Sequence, residues 1–398
     1  MRKTGLTILG VLLLILILAV VQVFRPLPML KIQPAVAAVQ AVPGTVSFHW
    51  PTTGQAVVGI EGVGLMGQYG PETPVPIASL TKMMTALLVL EKHPLQPGEE
   101  GPVLTVTPAD VAVYERDKKA GESVMKVVAG ERLTERQLLE GLLLPSANNI
   151  ATMLANWVAG DEASFVRMMN QKARALGMVH TTYADASGAN PQTVSTALDQ
   201  YRVAELVMQN PVLREIVRMP QATLPVAGTV YNVDAALGRD GIIGIKTGSS
   251  LEAGGCFAFA AEGMIENQPV TVMGVVLGQG GMHMLDAALT EARTLANDAR
   301  RQLRLMHVAQ PGQVVGTIRA PWGDETQVVA RSGATVIAWP GMWMEARVVP
   351  GEVHAPVPGG ASLGVLRVTA GRQTISVPLV TTAPIASPPY PWRLLRLK

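Results

Sequence analysis

Residues 76–92 read PIASLTKMMTALLVLEK. Pro74 and Pro76 stiffen the approach, and from Ser79 the pattern turns helical, with Met83, Ala86, Val89 and Leu90 on a shared face. Positions three apart on a helix are neighbours, so Lys82 Nζ is expected to approach Ser79 Oγ. A serine hydroxyl is a weak nucleophile until a base takes its proton. A lysine serves as that base when desolvation or nearby positive charge makes its neutral form accessible. Ser123-Val124-Met125-Lys126 repeats the spacing, but between Gly121 and Gly130 there is no room for a helix, and a strand or loop is expected there.

Two further stretches carry chemistry. Ser146-Ala147-Asn148 follows Pro145, where the pattern over 134–157 breaks into two helices, the first opened by a Thr134–Gln137 capping box. A hydroxyl and an amide two residues apart can both face a cleft there, but taken alone Ser146 is better explained as an ordinary N-cap. Lys246-Thr247-Gly248 ends the strand-like run GIIGIKTG (241–248). Lysine plus a threonine hydroxyl suits a carboxylate, and the glycine allows close approach to the backbone. Lys3-Thr4-Gly5 repeats that triplet on the far side of an apolar run and cannot reach the body. Gly62-Val63-Gly64-Leu65-Met66-Gly67 fits a dinucleotide fingerprint, yet Gln68-Tyr69-Gly70-Pro71 leaves no helix for a pyrophosphate, so a hairpin turn is expected.

Around these motifs the chain reads as mixed. Residues 45–60 suggest two short strands with a turn at Thr53-Gly54. Residues 162–176 form a helix ended by Gly177, and Thr196 opens another with Asp199 in its first turn. The runs 242–247, 255–261 and 269–277 are sheet, and 285–306 a long amphipathic helix. Beyond 307, Pro-Gly pairs punctuate short strands, the texture of a small all-β domain.

With Ser79-x-x-Lys82, Ser146-x-Asn148 and Lys246-Thr247-Gly248 in this order, the sequence resembles the serine-type D-alanyl-D-alanine carboxypeptidases, low-molecular-mass penicillin-binding proteins. Asp185-Ala186-Ser187-Gly188 and Ser195-Thr196-Ala197-Leu198-Asp199 share in the resemblance, which is good over 45–300 and fainter over 308–380. It implies an α/β (α+β) penicillin-binding and serine β-lactamase-like transpeptidase fold: an antiparallel sheet flanked by helices, a helical subdomain, then a small all-β C-terminal domain. The expected divisions are 1–41 (signal or anchor, and linker), 42–306 (catalytic), 307–385 (β domain) and 386–398 (tail), with the Pro/Ala-rich stretch 26–44 read as a linker.

The resemblance also implies roles. Ser79 is the acylating nucleophile, Lys82 its proton acceptor, and Ser146 the hydroxyl that relays a proton to the leaving amine. Asn148 holds the substrate peptide, while Lys246 and Thr247, with Gly248 and Ser249, bind the terminal carboxylate; the N–H groups of Ser79 and Ser249 form an oxyanion hole. The implied substrate is a peptidoglycan pentapeptide ending in D-Ala-D-Ala, with β-lactams as covalent inhibitors. Ala147 stands where members often carry glycine. The alternatives are D,D-endopeptidase activity at the same site, a β-lactamase, and a silent wall-binding or penicillin-sensing module. No E-x-x-L-N stretch follows Ser146 to supply a β-lactamase deacylation base.

Composition narrows the remaining classes. The 398 residues are 48% hydrophobic with a formal charge of +2, which excludes a disordered chain and argues against nucleic-acid binding. The charge hides an asymmetry: from 301 onward ten Lys or Arg stand against four Asp or Glu, spread as on a solvated surface. Six scattered histidines and a single cysteine, Cys256, make no metal-ligand spacing and no intrachain disulfide, so neither metal nor cofactor is expected. Residues 5–24 are apolar without a charge, about 30 Å as a helix, preceded by Arg2 and Lys3. Their length favours a retained anchor, whereas Ala35-Val36-Ala37 resembles a signal-peptidase site. Both readings place the body at the outer face of the cytoplasmic membrane or in the cell wall space. The tail after Pro391 is too short for a stable helix alone.

Overall fold

The computed structural model describes residues 2–36 and 38–396, so Ala37 of the candidate cleavage site and Lys398 of the tail lie outside the described residues. The chain folds into two compact units. One is Thr45–Leu303; the other joins the residues up to Gly44 with those from Arg304 onward.

In the Thr45–Leu303 unit, β1 (Gln55–Ile60), β2 (Gly64–Tyr69), β3 (Ile242–Ser250), β4 (Gly254–Ile265) and β5 (Gln268–Gln279) form an antiparallel sheet ordered β3-β4-β5-β1-β2. Every residue of β1 is buried, as are long runs of β4 and β5. These strands therefore read as continuous apolar runs rather than alternating ones, the pattern of a sheet covered on both faces. The helices that matter for the site are α1 (Thr81–Lys92), α2 (Glu135–Leu143), α3 (Asn148–Ala159), α4 (Ala197–Gln209) and α5 (Met284–Gln302). Helix α1 is buried on all sides from Thr81 to Leu90, with Met84, Leu87 and Leu88 as deep as the anticipated Met83, Ala86 and Val89. A helix apolar all round belongs at the centre of a core.

Strand β3 is the edge of its sheet, and its free side lies along the turn that carries Ser79. Helix α5 packs against β4 so closely that a Cβ at Gly255 would lie 1.8 Å from the Met284 carbonyl oxygen. The glycine fingerprint at 62–67 is a turn leading into β2, and residues 123–126 are irregular.

Local expectations differ from the structure in three places here. Residues 45–50 are not a strand; Ser47 and His49 are tied instead to Gln302 and Asp298 of α5. Helix α5 stops at Gln302, and residues 304–306 begin the strand Arg304–Ala309, paired with Ala334–Ala338. Ser146 is not a helix cap: α3 starts at Asn148, with Ala147 in the capping position and no side-chain cap.

The second unit is built on a seven-stranded antiparallel sheet. Its order is Ile32–Pro34, Val314–Arg319, Glu325–Ala330, Gln373–Thr381, Ser362–Ala370, Trp343–Pro350, Val39–Ala41. The expected linker 26–44 is thus part of the sheet, supplying both edge strands. Leu30 and Val42, read as linker residues, are 4% and 6% exposed, and burying them is what draws the segment in. The tail forms the helix Tyr390–Leu395, supported by contacts with the helix Arg2–Phe24 rather than by its own length.

Candidate active site

Ser79 lies in a single 3-10 turn, Ala78–Leu80, that feeds directly into α1. Ala78 has φ 45, in the left-handed region that a residue with a Cβ visits at a cost of about 1–2 kcal/mol. Its neighbours Ile77 and Leu80 are fully buried and Thr81 Oγ1 donates to the Ala78 carbonyl at 2.8 Å, so packing holds the turn. The result presents a half-buried Ser79 at the end of a rigid helix.

Lys82, one turn on, is completely buried. Its Nζ donates to Ser79 Oγ at 2.9 Å, to Asn148 Oδ1 at 2.6 Å and to the Ser187 carbonyl at 2.8 Å. Burial and then the Lys246 charge hold its pKa well below the ordinary lysine value, against the pull of Asp185, Glu122 and Asp117. In the neutral form the nitrogen keeps two N–H groups and gains a lone pair. Asn148 and Ser187 then remain its acceptors, and Ser79 becomes the donor.

Asn148, the first residue of α3, also donates from Nδ2 to Glu122 Oε2 at 2.6 Å. Ser146 adopts φ 64, and its buried hydroxyl has no hydrogen-bond partner among the described residues. A strained backbone beside an unsatisfied buried hydroxyl is not accounted for by the fold's own hydrogen bonding.

Lys246 and Thr247 are buried on β3, whereas Ser249 is exposed at its end. Lys246 Nζ donates to the Thr247 carbonyl at 3.0 Å. Burial lowers its pKa to about 7, and Asp234 opposes the shift. A Cβ at Gly248 would stand 2.8 Å from the Ser79 nitrogen, so only glycine lets β3 approach the Ser79 turn.

Residues 65–280 match the peptidase S11 family, D-alanyl-D-alanine carboxypeptidase. The chain belongs to this family. It is 32% identical over 250 residues to a D-alanyl-D-alanine endopeptidase of Pseudomonas aeruginosa, spanning 61% of this chain and 76% of that protein. It is 33% identical over 222 residues to the D-alanyl-D-alanine carboxypeptidase DacB2 of Mycobacterium tuberculosis, spanning 54% and 72%. Among solved structures, a Streptomyces DD-transpeptidase variant superposes with a TM-score of 0.54 at 27% identity, covering 62% of this chain and 98% of that one. Penicillin binding protein 5 of Haemophilus influenzae shares the fold over 87% of this chain, with a TM-score of 0.59 at 18% identity. The anticipated penicillin-binding fold, with its β-rich C-terminal part, is therefore the fold of this chain. As a member of the carboxypeptidase family it is a serine hydrolase, and the family's substrates are peptidoglycan D-Ala-D-Ala peptides.

Four residues of this candidate site, Asp185, Gly188, Glu122 and Asp234, carry no role in the three motifs. Asp185 accepts from Ser187 Oγ at 2.7 Å, from the nitrogens of Gly188 and Ala189 at 2.8 and 2.9 Å, and from Thr193 Oγ1 at 2.6 Å. It thereby shapes the loop that offers the Ser187 carbonyl to Lys82. Gly188, at φ 84, lies so close to the Ser79 turn that a Cβ would fall 1.8 Å from the Ala78 oxygen. The Asp185-Ala186-Ser187-Gly188 stretch is visible in the resemblance, but its function is backbone placement, which no residue type announces. Glu122 has no sequence signal. Asp234 is 6% exposed, with Oδ1 accepting from the Ala236 nitrogen at 2.9 Å and Oδ2 without a partner among the described residues; burial raises its pKa to about 6. Its loop is fastened near the second motif, because the Val233 nitrogen donates to the Leu144 carbonyl at 3.1 Å.

Proposed function

We propose that this enzyme removes the terminal D-alanine of peptidoglycan stem peptides through an acyl-enzyme on Ser79. One observation carries the reading: a fully buried lysine nitrogen 2.9 Å from a half-buried serine hydroxyl. Neutral Lys82 accepts the Ser79 proton as Oγ attacks the penultimate D-Ala carbonyl. The N–H groups of Ser79 and Ser249 receive the developing oxyanion, a contribution of about 3–4 kcal/mol for each donor in comparable enzymes. Protonated Lys246 and the Thr247 hydroxyl hold the terminal carboxylate, and Asn148 holds the peptide. The Ser146 hydroxyl passes a proton to the departing D-Ala amine and takes the one that Lys82 accepted from Ser79, which returns Lys82 to its neutral form. Water then attacks the ester, Lys82 takes its proton, and that proton goes to Ser79 Oγ as it leaves the acyl group. The free side of the edge strand β3 suits an extended peptide, whose backbone adds to the sheet.

Removal of D-Ala from a pentapeptide and labelling by a fluorescent penicillin test the reading, with Ser79→Ala as control. Wild type is expected to do both and the variant neither; an inert wild type overturns the proposal. Cross-link cleavage is the second reading, favoured by the endopeptidase names of two relatives. A cross-linked dimer substrate run beside the pentapeptide separates the two. The reaction takes place outside the cytoplasmic membrane, with the apolar N-terminal helix as the export signal or anchor.

A further inference from the structure

The helix Arg2–Phe24 contains a 20-residue span, Gly5–Phe24, of mean hydropathy 3.0 with no buried residue. By itself that fits a cleaved signal as well as an anchor. The segment just beyond the helix separates the two. The Leu30 nitrogen donates to the Val353 carbonyl at 2.9 Å, and its side chain lies in the core with Val315, Ile318 and Leu366. Ile32–Pro34 pairs with Val314–Arg319 through the register Ile32↔Ile318, and the Ala35 nitrogen continues the ladder to the Val315 carbonyl at 2.9 Å. The Ala38 carbonyl then accepts from Ala346 at 2.7 Å, on the opposite edge of the sheet, where Val39–Ala41 pairs with Trp343–Glu345. Ala35 and Ala38 thus belong to opposite edges of the sheet. A cut after Ala37 would remove one edge strand and a core leucine.

The other end of the chain closes on the same place. The Arg396 guanidinium donates to the carbonyls of Arg25 at 2.5 Å and Pro26 at 3.1 Å, just beyond the helix, and of Gln22 at 3.4 Å, one of the groups that a helix leaves without a partner at its C-terminus. Gln22 Nε2 returns a bond to the Arg396 carbonyl at 2.5 Å. Arg396 lies over the Trp392 ring at 5.6 Å, and Trp392 meets Trp322 edge-on at 5.2 Å. Trp322 packs against the β core. Tyr390 and Leu395 remain exposed on this collar, the amphipathic and apolar types that settle at a bilayer interface.

We propose that residues 2–41 stay on the mature enzyme: the N-terminal helix spans a lipid bilayer, and the C-terminal helix locks its outer end to the β unit. The inference deepens the exported reading and does not depend on the catalytic one. It is tested on the full chain expressed with its own N-terminus. Intact mass is measured, membranes are washed with alkaline carbonate, and every fraction is labelled with fluorescent penicillin. The expected result is the full-length mass in the carbonate-resistant pellet. A mature chain beginning at Ala38, or label in the soluble fraction, overturns retention while leaving the catalytic reading intact; a full-length but unlabelled pellet does the reverse. Arg396→Ala tests the lock. Amide exchange over residues 20–36 in detergent is expected to rise about tenfold with penicillin labelling unchanged. Unchanged exchange would overturn the lock.

Discussion

Two lysines, 82 and 246, sit buried in one site, and the proposed mechanism asks opposite protonation states of them: Lys82 neutral to accept a proton, Lys246 charged to hold a carboxylate. The positive charge of Lys246 itself favours the neutral form of Lys82, while Asp234 supports the charge on Lys246. Lys82→Arg is expected to reduce acylation by at least about 10²-fold, because guanidinium stays protonated; stopped-flow acylation by a chromogenic β-lactam reads this. Carboxylate binding should weaken as pH rises through about 7, where Lys246 loses its proton. The groups that bear electrostatically on Lys246 are Lys82 and Asp234, and Asp234→Asn removes the favourable one. The alkaline limb of kcat/KM is then expected below pH 7, with KM rising more than kcat falls. An unmoved limb would show that Asp234 does not act through Lys246.

At the scale of elements, the site exists because β3, the Ser79 turn and the Asp185–Thr193 loop approach within van der Waals contact. Gly248 and Gly188 are the points of closest approach. Gly248→Ala should push β3 from the turn and lower acylation about 10²-fold, with the fold retained by circular dichroism. Helix α2 raises a stability question instead. Glu135 in its first turn is fully buried, neither carboxylate oxygen has a partner among the described residues, and burial raises its pKa from 4.5 to about 7. The folded state therefore binds the proton more tightly than the unfolded chain does. Stability from this group is complete below about pH 4.5 and is lost as pH rises through about 7. Glu135→Gln cannot ionise, so it should flatten that decline and raise Tm at pH 8 by roughly 2–4 °C relative to wild type. Scanning calorimetry at pH 5 and pH 8 compares the two slopes.

For the whole molecule, the second unit is assembled from both ends of the chain, with the catalytic unit inserted between them in sequence. Its stability then depends on residues far apart along the chain. Leu30→Ala is expected to cost the β unit about 2–5 kcal/mol by leaving a cavity among Val315, Ile318 and Leu366. The penicillin-labelling rate of the catalytic unit should not change. Limited proteolysis combined with labelling reads both at once.

The proposed chemistry is legible in the order of residues alone. Ser79 and Lys82 share a helical face whatever surrounds them, and strands such as 242–247 and 269–277 are apolar enough to declare themselves. Local periodicity also marks α5 and the capping box at Thr134, since both depend on neighbours within one turn. It misjudges 26–44, because a short apolar stretch among prolines becomes a strand only when a partner edge offers hydrogen bonds. It allows Ser146 to be a cap, because strain at φ 64 arises from packing rather than from the residue type. Three roles emerge only from the folded chain: Ser187 contributes a carbonyl, Glu122 holds Asn148, and Asp234 bears on Lys246. They depend on distances between segments far apart in sequence, where burial, not composition, fixes the pKa and the partner.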